Sequence, residues 1–77
     1  MLAKLTAVFR DVFEDDEIEI TPQTTAQDIL DWDSLRHVTL MLSTEKVFGV
    51  RFSSAEVANL KNVGELMDLI GRKTAGA

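Results

Sequence analysis

Seventy-seven residues make a single domain with one modest core and little material for walling off a deep active site. A formal net charge of −5 argues against nucleic acid, whose phosphates would repel the surface; it suits either partners with basic patches or plain solubility. The absence of cysteine excludes disulfide staples, thiolate nucleophiles and cysteine metal sites together, and fits a reducing cytosol.

Lys4 and Arg10 interrupt the apolar residues at the N-terminus, so it lacks the form of a signal peptide, and no apolar run is long enough for a transmembrane segment. Leu2, Leu5, Val8, Phe9, Val12 and Phe13 recur at spacings of three and four, which predicts an amphipathic helix over 2–13. It stops at the acidic run Glu14-Asp15-Asp16-Glu17. From Glu14 to Asp33 no helical period is sustained. Ile18 and Ile20 alternate with charged neighbours as a short strand would, and Thr21-Pro22 breaks any regular element. The stretch reads as a long ordered loop pinned by Ile18, Ile20, Ile29 and Leu30. Loops of this length in small domains tend to be functional or disordered.

A second helix is expected over Ser34–Phe48, with Asp33 as N-cap and Gly49 in the left-handed C-terminal position. Leu35, Val38, Leu40, Met41, Leu42 and Phe48 give it a broad apolar face. Ser53 and Glu56 have capping-box spacing and open a short third helix carrying Val57 and Leu60. Asn62 and Glu65 repeat the device for a last helix with Val63, Leu66, Met67, Leu69 and Ile70. Gly71 ends that pattern, Arg72 and Lys73 suit the negative end of its dipole, and residues 74–77 read as a disordered tail. The expected architecture is all-α: a four-helix bundle of three longer helices and a short third, with the long ordered loop between helices 1 and 2, all in one domain over 1–77.

Enzyme constellations are thin. His37 is the sole histidine, so a multi-histidine metal site is excluded. Ser34, His37 and Asp33 are formally a serine–histidine–acid set, yet they would stand side by side on one helix start with no obvious oxyanion hole. His37 therefore reads as a solvent-facing helix residue that helps partner contact. The cluster Asp15, Asp16, Glu17, Glu19 lacks the spaced ligands and turn glycine of an EF-hand and reads as a solvated loop, and no metal site is expected.

The segment DWDSLRHV, residues 31–38, stands out. It puts a hydroxyl, Ser34, on the first turn of a helix directly after an acidic cap. An ordinary Asp-Ser helix start would look the same. Were Ser34 to become a phosphodiester, the N-terminal N–H groups would favour the charge, while Asp33 would oppose it. Asp33 then reads as a recognition element for a basic enzyme.

This stretch resembles the phosphopantetheine attachment motif of acyl and peptidyl carrier proteins, in which an Asp-Ser-Leu triplet begins the second helix. Glu45-Lys46-Val47-Phe48-Gly49-Val50 is similar to that family's ending of the helix. Val57-Ala58-Asn59-Leu60-Lys61-Asn62-Val63-Gly64-Glu65-Leu66 resembles its third helix, turn and fourth helix start. The likeness covers about residues 2–71.

The resemblance implies a non-enzymatic, cytoplasmic, monomeric acyl carrier protein. A phosphopantetheinyl transferase would move 4′-phosphopantetheine from coenzyme A onto Ser34. Acyl cargo would then ride on the arm as a thioester to acyl-loading, synthase or acyltransferase enzymes of fatty-acid, lipid or polyketide synthesis. The bundle would shelter an acyl chain among residues such as Ile29, Leu40, Met41, Phe52 and Ile70, which core packing alone also explains. Partners would read Asp33, Leu35, Arg36, Val38, Leu42 and Glu45, with Leu35 or Val38 as docking anchor unless both are buried.

Departures from the pattern are Trp32 for a small residue, Arg36, Thr39, Lys46 and Val47 where acids are frequent, and Thr44 for an aliphatic residue. They point to a specialised carrier. A peptidyl or aminoacyl carrier and an unmodified helical interaction module are the alternatives.

Overall fold

In the computed structural model, which describes residues 1–75, the N-terminal apolar stripe forms α1 (Leu2–Val12) and buries Leu5, Val8, Phe9 and Val12. The remaining helices are α2 (Ser34–Phe48), α3 (Ser54–Ala58) and α4 (Val63–Ala75), with no strand among the described residues. The isoleucine alternation at Ile18 and Ile20 therefore belongs to loop. Leu5, Phe9, Leu40, Leu66, Ile70 and Val63 are fully buried and form the centre of the bundle.

Local chemistry sets the helix ends. Asp33 is extended, and its carboxylate accepts the Arg36 N–H at 2.9 Å, while Gly49 closes α2 at φ 67. A cap of the first kind is worth about 1 kcal/mol. Ser53 and Glu56 form the reciprocal capping box of α3. At α4 only half of that device appears: Asn62 Oδ1 accepts the Glu65 N–H, but the Glu65 carboxylate turns to the Lys61 N–H instead. Thr44, where an aliphatic residue would be usual, is fully buried with its hydroxyl donating to Leu40 O at 2.7 Å.

Two expectations need correction. Gly71 does not end the last helix, and Thr74 does not begin a frayed tail, because α4 continues to Ala75. A mid-helix glycine costs only about 1 kcal/mol, and the Lys73–Glu56 ion pair at 3.0 Å ties the added turn to α3. The expectation for residues 76 and 77 lies outside the described residues. Leu30 does not pin the loop either; it is 87% exposed, and Trp32 packs against the core instead.

The loop between α1 and α2 is ordered by capping another helix. Its carbonyls at Thr24 and Pro22 accept the N–H groups of Val63 and Gly64 at 2.9 and 2.7 Å. These belong to the first turn of α4, where N–H groups have no partner within the helix. Thr24 is buried, and its hydroxyl accepts the Thr21 N–H. The backbones approach so closely that a Cβ on Gly64 would lie 2.9 Å from Pro22 O. Ile20 and Ile29 sink into the core beside these bonds, with Ile18 partly buried next to them.

Candidate functional site

Ser34 is the first residue of α2 and is exposed. The turn before it is tightly fixed. Asp31 adopts a left-handed conformation at φ 70, and its carbonyl accepts the Asp33 N–H at 2.9 Å. Asp33 O then accepts the His37 N–H at 2.8 Å, which starts the helical ladder. Ser34 thus stands on a rigid helix start, beside first-turn N–H groups that carry the positive end of the helix dipole.

Trp32 anchors this turn. Its ring meets Phe9 edge-on at a centroid distance of 5.3 Å and Phe13 at 6.0 Å. Its indole N–H donates to His37 Nδ1 at 3.1 Å, and His37 Nε2 lies 2.9 Å from Val57 O. An indole N–H can only donate, so Nδ1 is unprotonated and Nε2 carries the hydrogen given to Val57 O. His37 is therefore not the solvent-facing residue that the helical spacing suggested. It is half-buried and bridges the loop to α3. With both ring nitrogens engaged there, it is not placed as a base for Ser34. In the sequence Trp32 stands out only as a departure; an aromatic donor five residues before the sole histidine is the signal that points to the bridge.

The residues expected to meet partners divide into two groups. Leu35, Val38 and Leu42 are 78%, 57% and 61% exposed. Their i, i+3, i+7 spacing lays them along one strip of α2 that starts beside Ser34. Arg36 and Glu45 are half-buried and committed within the bundle. The Arg36 guanidinium donates to Val12 O at the C-terminal end of α1, and Glu45 Oε2 accepts the Phe52 N–H at 2.7 Å. Asp33 is exposed with one carboxylate oxygen spent on its cap.

Charge is unevenly distributed. Residues 11–33 contain nine acids and no lysine or arginine, whereas the rest of the chain has four acids and eight bases. Asp15, Glu19, Asp28 and Asp31 line one groove with the exposed Leu30, at the end of the bundle where α2 begins. Glu56 is held below the usual carboxylate range, first by the Ser53 N–H and then by Lys73. No group of side chains suited to a metal ion occurs among the described residues.

A family model described as a phosphopantetheine attachment site matches residues 3–70. The acyl carrier protein of Acidothermus cellulolyticus is 35% identical over 77 residues, spanning all of this chain and 92% of that one. The chain belongs to the acyl carrier protein family. The meromycolate extension acyl carrier protein of Mycolicibacterium aurum is 31% identical over 91% of this chain and 72% of its own. In three dimensions the chain is similar to the solution NMR structure of a holo acyl carrier protein from Geobacter metallireducens. The TM-score is 0.89 at 47% identity, covering 96% of this chain and 85% of that one. The family's prosthetic group is phosphopantetheine, on which acyl groups travel as thioesters. An exposed hydroxyl at a helix start fits such a group, since the amides beside it favour a phosphodiester.

Proposed function

We propose that Ser34 is the residue to which this chain's phosphopantetheine arm is attached, and that the chain delivers acyl thioesters between cytoplasmic enzymes as a monomeric carrier. The observation that carries this reading is the placement of Ser34, an exposed hydroxyl on the first residue of a capped helix within the matched family span. In loading, the Ser34 oxygen bonds to the phosphorus on the pantetheine side of coenzyme A. The bond to the adenosine half breaks, and the hydroxyl proton leaves. The arm supplies a terminal thiol for the cargo and the reach to visit several enzymes.

Asp33 has two uses in this reading. It caps α2, and it presents a carboxylate to a basic phosphopantetheinyl transferase. Leu35, Val38 and Leu42 are the docking anchors, being apolar, exposed and next to the serine. Arg36 and Glu45 contribute less, because their side chains are bonded inside the bundle. A recognition helix carrying Arg36, Thr39, Lys46 and Val47 suits a specialised pathway over enzymes that expect a row of carboxylates. Efficient acylation and elongation by standard fatty-acid enzymes would count against that specialisation.

Intact mass before and after incubation with coenzyme A, magnesium and a broad-specificity transferase tests the attachment. One phosphopantetheine is expected on Ser34, with none on Ser34→Ala and unchanged helical circular dichroism. Persistent absence of the added mass on the folded protein, with several transferases, would favour an unmodified interaction module.

A further inference from the structure

The α3 segment is held to α2 by two side chains. His37 Nε2–H reaches Val57 O, and Glu45 accepts the Phe52 N–H. Between these ties runs an apolar groove of about 230 Å³, lined by Val38, Met41, Leu42, Phe52 and Val57. It begins one helical turn from Ser34. The void beside Trp32 and Met41 is only about 20 Å³, room for roughly one water. That void has no room for even a short hydrocarbon. The apolar space open to a group brought in from Ser34 is therefore the α2–α3 groove, which deepens when α3 moves away from α2. α3 buries none of its own residues, so it is the helix that moves at least cost.

We propose that His37, set by Trp32, is the gate of this groove and determines whether the carrier shelters its longer acyl chains. The inference rests on the carrier reading above. Of the two ties, the His37–Val57 bond is the nearer to the serine, so a chain entering from Ser34 meets it first. Its strength depends on Trp32, because the indole N–H fixes His37 in the one tautomer that donates to Val57 O. Trp32 is held in turn by Phe9 of α1 and by Phe13, which follows that helix. The gate is thus anchored in the bundle core, not in solvent. With it closed, cargo lies on the surface, exposed to water and to partner enzymes. With it open, the groove takes the chain and slows attack on the thioester. His37 acts as a positioning residue and touches no reacting atom.

The test loads Ser34 of the wild type, His37→Ala and His37→Gln with arms bearing acetyl, octanoyl and dodecanoyl groups, and follows thioester cleavage by hydroxylamine. Gln keeps a donor near the Nε2 position, whereas Ala removes it. Wild type and His37→Gln are expected to lose all three cargoes at similar rates. His37→Ala should release acetyl at the wild-type rate but the longer chains about fivefold more slowly, the factor that one net hydrogen bond carries. A general loss of stability would not produce a dependence on chain length. Amide exchange in α3 of the unloaded proteins should rise by a similar factor in His37→Ala alone. Identical length profiles for wild type and His37→Ala would overturn the gate, as would His37→Gln behaving like His37→Ala. An arm missing from wild-type Ser34, seen by mass beforehand, would overturn the carrier reading and the gate together.

Discussion

The loop from Phe13 to Asp33 sinks Ile20, Thr24 and Ile29 into the bundle, whereas the stretch from Val50 to Asn62 buries no residue fully. Their ties differ in kind. The first gives backbone carbonyls to the start of α4 and packs Trp32 against Phe9 of α1 and its own Phe13. The second hangs on side chains that reach over from its neighbours: His37 and Glu45 from α2, Lys73 from α4. Irregular backbone is thus no guide to mobility. The segment before Ser34 is tied through backbone and core, and the short helix beside the groove has mainly side-chain ties to give up.

The contrast can be broken most severely at Gly64. An alanine Cβ would lie 2.9 Å from Pro22 O, a backbone atom that already accepts the Gly64 N–H. Despite better helix propensity, Gly64→Ala should destabilise the protein by about 1–3 kcal/mol, as overpacking does. Thermal unfolding should show a fall of roughly 4–8 °C for each kcal/mol. An unchanged midpoint would mean that the loop yields easily and that the contrast is false.

A smaller effect is expected on the other side. Glu45→Ala removes the acceptor of the Phe52 N–H and should cost about 1 kcal/mol. Amide exchange should quicken in α3 while the loop around Thr24 keeps its protection. Equal quickening in both would show that the two regions open as one.

The smallest effect is a pH response. Folding holds the Glu56 carboxyl below its usual range, so it favours the ionised form. That contribution is complete at neutral pH and is lost as the pH falls through the lowered value. Being at the surface, the pair adds little. The protection of α3 amides, taken relative to their intrinsic exchange at each pH, should fall modestly on acidification in the wild type, and Lys73→Met should flatten the response. A response of undiminished size in Lys73→Met would assign it to other carboxylates.

What was legible in the sequence followed from local rules. Asp33, Gly49 and the Ser53–Glu56 pair mark their helix ends because a cap acts on backbone a few residues away. The place of Ser34 on the first turn of α2 was legible for the same reason. Gly71 misled, since a glycine stops a helix only when nothing beyond it binds, and the Lys73–Glu56 pair comes from another helix. The docking of Pro22 and Thr24 onto α4 had no residue signature at all, because every residue offers the same carbonyl. His37 was misread because helical spacing gives the direction of a side chain but not what a distant helix places there. The expected anchor Leu30 and the actual anchor Trp32 are only two residues apart, and the left-handed Asp31 lies between them.

The segregation of nine uncompensated acids ahead of Ser34 from a remainder richer in bases gives the molecule a permanent electrical axis. A positively charged surface exerts a torque on such a body as well as a pull, so the protein is turned during its approach. The field reaches only about 8 Å at physiological ionic strength, so this alignment belongs to the last moments before contact. Within that distance the end bearing the serine swings to the front, and fewer collisions are wasted on the back of the bundle.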